Sequence, residues 1–160
     1  MLYIAHTLRE LDFSRLMEIY MEGNLEKTQD GLTLLEAEQD FYQYLRQVFF
    51  RTPGARYFVW TEGGRYRSAL RLEPYRDGWL LEALETAPDH RRKGYGRALV
   101  EAVLALPGYE RIYSHIHREN FPSLRLHESC GFQKILDYGV YIDGSVNRYT
   151  LTYCRDRSKL

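Results

Sequence analysis

Between residues 79 and 105 the chain carries a pattern that few folds accommodate. An apolar strand is followed by a basic loop with two glycines, and a helix starts at once. Trp79-Leu80-Leu81-Glu82-Ala83-Leu84-Glu85-Thr86 reads as the strand. After Pro88 the chain reads Arg91-Arg92-Lys93-Gly94-Tyr95-Gly96-Arg97, then Ala98, Leu99, Val100, Ala102, Val103, Leu104 and Ala105 as a helix stopped by Pro107-Gly108. A helix start leaves about four backbone N–H groups unpaired and carries roughly half a positive charge, so it attracts anions. Glycines let a phosphate approach the backbone closely. Arg91, Arg92, Lys93 and Arg97 add local positive charge, and a pyrophosphate-bearing ligand fits such a spot. The order is not G-x-G-x-x-G, because Leu99 stands three places after Gly96, and it is not a P-loop.

The remaining elements place this segment in a mixed sheet. Tyr3 to Leu8 is a short strand candidate. Asp12 offers an N-cap for a helix through Phe13, Leu16, Met17, Ile19 and Tyr20 that should fade near Gly23-Asn24. A polar loop over 24–32 leads to the capping box Thr33-x-x-Glu36, which starts a second helix with Leu34, Ala37, Phe41, Tyr44, Leu45 and Val48 on its apolar face. Tyr57 to Trp60 and Tyr66 to Leu72 read as a hairpin turned by Gly63-Gly64, with Trp79 to Thr86 as a third strand. Arg111 to His117 is a strand and Pro122 to Cys130 a short helix ended by Gly131. Phe132 to Ile142 and Val146 to Cys154 pair through Asp143-Gly144. The order is β-αα-βββ-α-β-α-ββ. It predicts one α/β domain over residues 1–160, with a twisted, mixed seven-stranded sheet flanked by about four helices.

Charge excludes some functions. Lys plus Arg and Asp plus Glu are both 22, so the net charge is zero. No global field draws the chain to nucleic acid or an anionic membrane, and any anion site must be local. Two cysteines, Cys130 and Cys154, build neither a disulfide framework nor a four-ligand zinc site alone. No apolar run approaches the roughly 20 residues of a bilayer crossing, and the N-terminus lacks a signal-peptide pattern. The expectation is a soluble, cytoplasmic protein with no metal, no nucleic acid and no membrane partner, as a monomer or homodimer. Fourteen tyrosines suit a lined cleft or a large interface.

Arg91-Arg92-Lys93-Gly94-Tyr95-Gly96 matches R-x-x-G-x-G/A. Downstream, Asn120-Phe121-Pro122-Ser123-Leu124-Arg125-Leu126-His127-Glu128-Ser129-Cys130-Gly131-Phe132 matches N-x-x-[AS]-x-x-L-[YH]-x-x-x-G-F. Two such motifs in order, joined by one helix and one strand, resemble the GNAT superfamily of N-acetyltransferases. The resemblance covers about residues 79–133; the first 50 residues and the C-terminal hairpin fit by topology only. It implies acetyl-CoA as cosubstrate and transfer of its acetyl group to a primary amine. It implies that backbone groups of Leu84, Glu85 and Thr86 bond the pantetheine arm, although Thr86 stands where relatives usually have Val. It further implies that the loop begun by Arg91 holds the pyrophosphate on the amides of Arg92, Lys93, Gly94, Tyr95, Gly96 and Arg97, and that Asn120 and Ser123 contact the cofactor. Their other reading is helix capping for Asn120 and plain helix surface for Ser123.

Glu82 and His127 are the candidate catalytic residues. By strand alternation Glu82 shares a face with Leu80, Leu84 and Thr86, while Glu85 points the other way. An alkyl ammonium has a pKa near 10, so it must lose a proton before it attacks; the resemblance implies that Glu82, at a place where relatives carry Glu facing the acceptor, takes it directly or through water. The competing reading is an ion pair with an arginine. His127 stands where the family often has Tyr; imidazole either protonates the departing thiolate or only packs beside the cofactor. His115 and His117 share a face of the preceding strand. Cys130 reads as a small buried hydrophobe rather than an acyl carrier. The acceptor is not encoded legibly; the loop from Gly23 to Leu32 with Glu22, Glu26 and Asp30, and the C-terminal hairpin with Tyr138 and Tyr141, are the regions the resemblance assigns to it. A non-catalytic acyl-CoA binder of the same fold is the alternative.

Overall fold

The computed structural model describes residues 1–159. The strands are β1 (Leu2–Ala5), β2 (Arg56–Glu62), β3 (Arg65–Tyr75), β4 (Gly78–Thr86), β5 (Arg111–His117), β6 (Gln133–Leu136), β7 (Gly139–Val140), β8 (Val146–Asn147) and β9 (Thr150–Asp156). The helices are α1 (Phe13–Ile19), α2 (Met21–Lys27), α3 (Leu34–Gln47), α4 (Tyr95–Leu104) and α5 (Phe121–Ser129), joined in places by short 3-10 turns. Seven strands form one sheet in the order β1-β2-β3-β4-β5-β9-β6, and β7 and β8 make a separate two-stranded ribbon. The mixed α/β sheet anticipated from the element order is present. All neighbours are antiparallel except β4 and β5, which run parallel because α4 crosses over between them.

Strand alternation divides the core into two layers. On one face Tyr57, Val59 and Ala69 pack against Leu16, Met17, Ile19 and Tyr20 of the first helical segment, with Leu45 and Phe49. On the other face Phe58, Leu70, Leu72 and Leu81 meet Leu99, Val100 and Val103 of α4, with Ile112, Ile116 and Phe132. These side chains are nearly water-free, and burying each contributes roughly 1.5–3 kcal/mol before entropy is counted.

Four local expectations need correction. The first helix does not run to Gly23-Asn24; it breaks at Tyr20 (φ −96°, ψ 15°), and α2 then continues straight through Gly23 and Asn24. Tyr20 turns its ring into the core, and the buried Asn24 amide donates to Met17 Sδ at 3.5 Å, so burial rather than propensity sets both ends. The polar loop is correspondingly shorter, ending at Gly31 in the left-handed conformation (φ +94°) before the Thr33–Glu36 capping box, whose two reciprocal bonds measure 3.1 and 3.2 Å. The first strand ends at Ala5, and Leu8–Glu10 is a 3-10 turn. The C-terminal hairpin is split: β6 pairs with β9, while the Asp143-Gly144 turn closes only the β7–β8 ribbon.

Candidate acetyl-CoA and acceptor site

β4 and β5 pair over only three positions, Trp79↔Ile112, Leu80↔Tyr113 and Leu81↔Ser114. Beyond them β4 follows β3 as far as Thr86↔Ser68, and β5 follows β9 as far as His117↔Thr150. The sheet opens there into a V. A cavity of about 510 Å³ occupies this end of the molecule, walled by the end of β4, the loop before α4 and the first turn of α5. Its wall takes in every residue expected to meet the cofactor, namely Leu84, Glu85, Thr86, Arg91, Arg92, Gly94, Tyr95, Gly96, Arg97, Asn120 and Ser123, with the exception of Lys93.

The loop geometry explains the glycines. Gly94 is the residue before α4 and sits at φ +81°, a conformation that strains any side chain. A Cβ on Gly96 would stand 3.2 Å from Leu126 and 3.3 Å from Thr86 Oγ1, so this position holds α4 close to β4 and α5. No side chain caps α4, and its first internal bond is Ala98 N–H to Gly94 O at 2.9 Å. The amides of Tyr95, Gly96 and Arg97 therefore have no helical partner, the arrangement that favours an anion at a helix start. Arg91 is already engaged: its Nη2 reaches Glu22 at 2.8 Å and Glu85 at 3.1 Å. Arg97 pairs with Glu101 at 2.9 Å, while Arg92 and Lys93 are exposed. Asn120 caps α5 by accepting the Ser123 N–H at 3.3 Å.

The facing of β4 differs from simple alternation. Ala69 lies opposite Glu85 and Arg71 opposite Glu82, so β4 carries one extra residue against β3. Ala83 makes this bulge with φ +53°, a left-handed conformation that costs an alanine about 1–2 kcal/mol. As a result Glu82 and Glu85 share the α1–α3 face, and Leu84 and Thr86 turn to the α4 face, with Thr86 Oγ1 donating to Ser68 Oγ at 3.2 Å. Alternation fails because the extra residue shifts the period by one.

Glu82 belongs to a buried polar group that sequence reading did not assemble. Its side chain is 22% exposed, and Oε2 lies 4.0 Å from Arg71 Nη2, a loose ion pair. Oε1 is buried with no hydrogen-bond partner among the described residues. Burial first, and then the neighbouring Glu73 carboxyl, push the Glu82 pKa up to about 9 against the pull of Arg71. Glu73 itself is 7% exposed. The Arg71 guanidinium lies over Tyr44 at 5.0 Å and Phe49 at 5.5 Å. Tyr57 donates to Tyr20 Oη at 2.6 Å, and Tyr20 donates to the Ala83 carbonyl at 2.7 Å. The only hint in the sequence was Arg71 and Glu73 alternating with Leu70 and Leu72, a polar face on an inner strand.

His127 is not brought into the cavity wall. It is 1% exposed and packed on Phe132. Nδ1 lies 2.8 Å from the Ser123 carbonyl, which can only accept, so the proton sits there; Nε2 then accepts from Ser114 Oγ at 3.0 Å. Burial holds its pKa below the ordinary histidine value. Both nitrogens are in use inside the protein. His115 lies between Tyr75 and Tyr141 with Nε2 buried and unbonded among the described residues, and His117 accepts the Glu119 N–H at 3.1 Å. Cys130 is 8% exposed, and burial raises its thiol pKa, as suits a small core residue. Of the acceptor-side residues, Glu22 is tied to Arg91, Glu26 and Asp30 are exposed, and Tyr138 and Tyr141 lie exposed beside the ribbon. No group of His, Cys, Asp and Glu among the described residues is arranged to hold a metal, and no helix among them is long and apolar enough to cross a membrane.

The sequence model of the acetyltransferase (GNAT) family matches residues 13–132, and the chain belongs to that family. Its fold is similar to that of PH1933 from Pyrococcus horikoshii OT3 (TM-score 0.69, 17% identity, 98% of each chain covered). A spermidine N-acetyltransferase chimera from Vibrio cholerae is also similar (TM-score 0.66, 22% identity, 99% of this chain and 96% of that one). So is the ribosomal-protein-S18-alanine N-acetyltransferase of Escherichia coli (TM-score 0.63, 18% identity, 97% of this chain and 93% of that one). A search of curated protein sequences finds no match.

Proposed function

We propose that the protein transfers an acetyl group from acetyl-CoA directly to a primary amine of a small molecule or peptide. The observation that carries this reading is the opening of the V between β4 and β5, where one strand serves both substrates. Leu84, Glu85 and Thr86 wall the cavity at the α4 N-terminus, and Glu82 stands two residues back, about 7 Å along the strand. Acetyl-CoA supplies the activated acyl carbon. The loop amides from Arg92 to Arg97 bind its pyrophosphate, Leu84 to Thr86 orient its arm, and Asn120 and Ser123 close the wall. Glu82, ionised when a cationic amine approaches, takes the ammonium proton directly or through a water; Arg71 and Glu73 set when it does so. The two neighbours named as N-acetyltransferases support nitrogen as the acceptor atom.

The test is to incubate purified protein with acetyl-CoA and a panel of primary amines and to follow free thiol. Amine-dependent thiol release that Glu82→Gln suppresses is expected. Acetyl-CoA binding without amine-dependent release by any acceptor would instead make the protein an acyl-CoA binder.

A further inference from the structure

Of the two non-glycine residues with positive φ in this site, Ala83 and Arg92, Ala83 is bonded by a side chain 63 residues away. The run Leu81-Glu82-Ala83-Leu84-Glu85 contains good helix formers and no glycine, so nothing local asks for φ +53° at Ala83. Such a conformation persists only where the surroundings impose it. Here the imposing group is Tyr20, at the break between α1 and α2, where neither helix continues through it. Its ring is packed on Phe41 at 5.1 Å. A hydroxyl has one proton; Tyr57 uses its own on Tyr20 Oη, so the Tyr20 proton goes to the Ala83 carbonyl. Arg71 lies against Tyr57 and Glu82, so the bulge and the carboxyl belong to one buried network.

We propose that Tyr20 is a positioning residue for acetyl transfer: its hydroxyl holds the Ala83 carbonyl on the α1–α3 side of β4 and so turns the Leu84 N–H toward the cofactor cavity. The inference rests on the reading of that cavity as the acetyl-CoA site. In a trans peptide the C=O and the following N–H point in opposite directions. Fixing the Ala83 carbonyl on the Tyr20 side therefore turns the Leu84 N–H toward the opposite, α4 side, where Leu84 lines the cavity; the β4–β5 ladder has already ended at Leu81↔Ser114. There the N–H is a donor for the thioester carbonyl oxygen, the atom that gains negative charge as the amine attacks. Removing the hydroxyl lets Ala83 return to negative φ and takes the donor away, with the Tyr20 ring still filling its place.

The test needs no acceptor. Calorimetry compares acetyl-CoA with S-ethyl-CoA, whose methylene replaces the carbonyl, on wild type, Tyr20→Phe and Tyr20→Phe/Ala83→Gly. Wild type should prefer acetyl-CoA by about five- to tenfold, the worth of one hydrogen bond to the carbonyl. Tyr20→Phe should bring that ratio toward one while leaving the affinity for S-ethyl-CoA unchanged. Glycine at 83 adopts positive φ without strain, so the double variant should regain the ratio, which a merely structural tyrosine would not allow. An unchanged ratio in Tyr20→Phe, a parallel loss of both ligands, or no recovery in the double variant overturns the inference alone. A wild type that binds neither ligand overturns the cofactor reading, and this inference with it.

Discussion

The cavity proposed for the cofactor and the face proposed for the acceptor meet on β4 but are put together differently. The cavity wall comes from two short stretches, 84–97 and 120–126, in which a strand end, a turn and a helix start follow one another directly. The face around Glu82 draws Arg71 and Glu73 from the hairpin partner β3, and Tyr57 and Tyr20 from elements farther away; the Tyr20–Ala83 bond alone spans 63 residues. A glycine with positive φ and an uncapped helix start need only neighbours in the chain. A buried carboxyl needs the whole sheet around it. The cavity should therefore fail through local, steric changes, and the acceptor face through changes of charge and proton affinity.

The largest effect is expected at the acceptor face. Glu82→Gln keeps the shape and removes the base, so kcat/KM should fall about 10²–10⁴-fold while CoA affinity holds. Equal losses in both would place Glu82 in cofactor binding instead. At the cavity, Gly94→Asp and Gly96→Asp add bulk and negative charge beside the phosphate position. CoA affinity should drop by about a hundredfold or more in each; for Gly94, whose Cβ direction is open, the cost to folding is the backbone strain of a side chain at φ +81°, about 1–2 kcal/mol. Unchanged affinity by calorimetry would remove the anion site from this loop.

Proton affinity separates the regions further. With its pKa raised to about 9, Glu82 stays protonated at neutral pH in the free protein. The share in base form grows about tenfold per pH unit, so kcat/KM should climb from pH 7 and level off near 9 in wild type, whereas the residual rate of Glu82→Gln should keep rising toward the amine's own pKa near 10. Stability shows the opposite sign. Between the unfolded carboxyl value and about 9 the folded state holds the extra proton, so stability falls as pH rises through that window. Glu82→Gln should therefore raise Tm at pH 8, by about 2–4 °C for each kcal/mol relieved. A Tm below wild type would mean that the Arg71 contact is a stabilising ion pair.

His127 gives the smallest expected catalytic effect. His127→Ala opens a core cavity and leaves Ser114 without its acceptor, which should cost about 2–4 kcal/mol of stability. Measured well below the lowered Tm, kcat should stay within about threefold. A large kcat loss in a folded variant, recovered by His127→Tyr, would return the acid role to this position.

These contrasts also explain what the sequence could show. The element order, the Thr33–Glu36 capping box and the glycine-bearing loop before α4 were legible because each is a pattern over a few residues. Ala83 was not: it is an ordinary residue in an apolar run, and its bulge, which moves Glu85 to the face of Glu82, has its carbonyl bonded by Tyr20 from 63 residues away. The break of the first helix at Tyr20 escaped notice for the same reason, because helical spacing continues past it. For His127, position in a motif suggested chemistry, but the fold surrounds both nitrogens with serines from β5 and α5.

Amide NMR on the protein titrated with acetyl-CoA tests the central claim most directly, because it reports where the cofactor sits before any acceptor is known. The account predicts that the amide resonances of Leu84, Tyr95, Gly96 and Arg97 shift most, in saturable fashion, with those of the β1–β2 edge unmoved. Shifts centred instead on the separate cavity of about 560 Å³ beside Met1, Tyr3 and Thr61, with the α4 start silent, would contradict it.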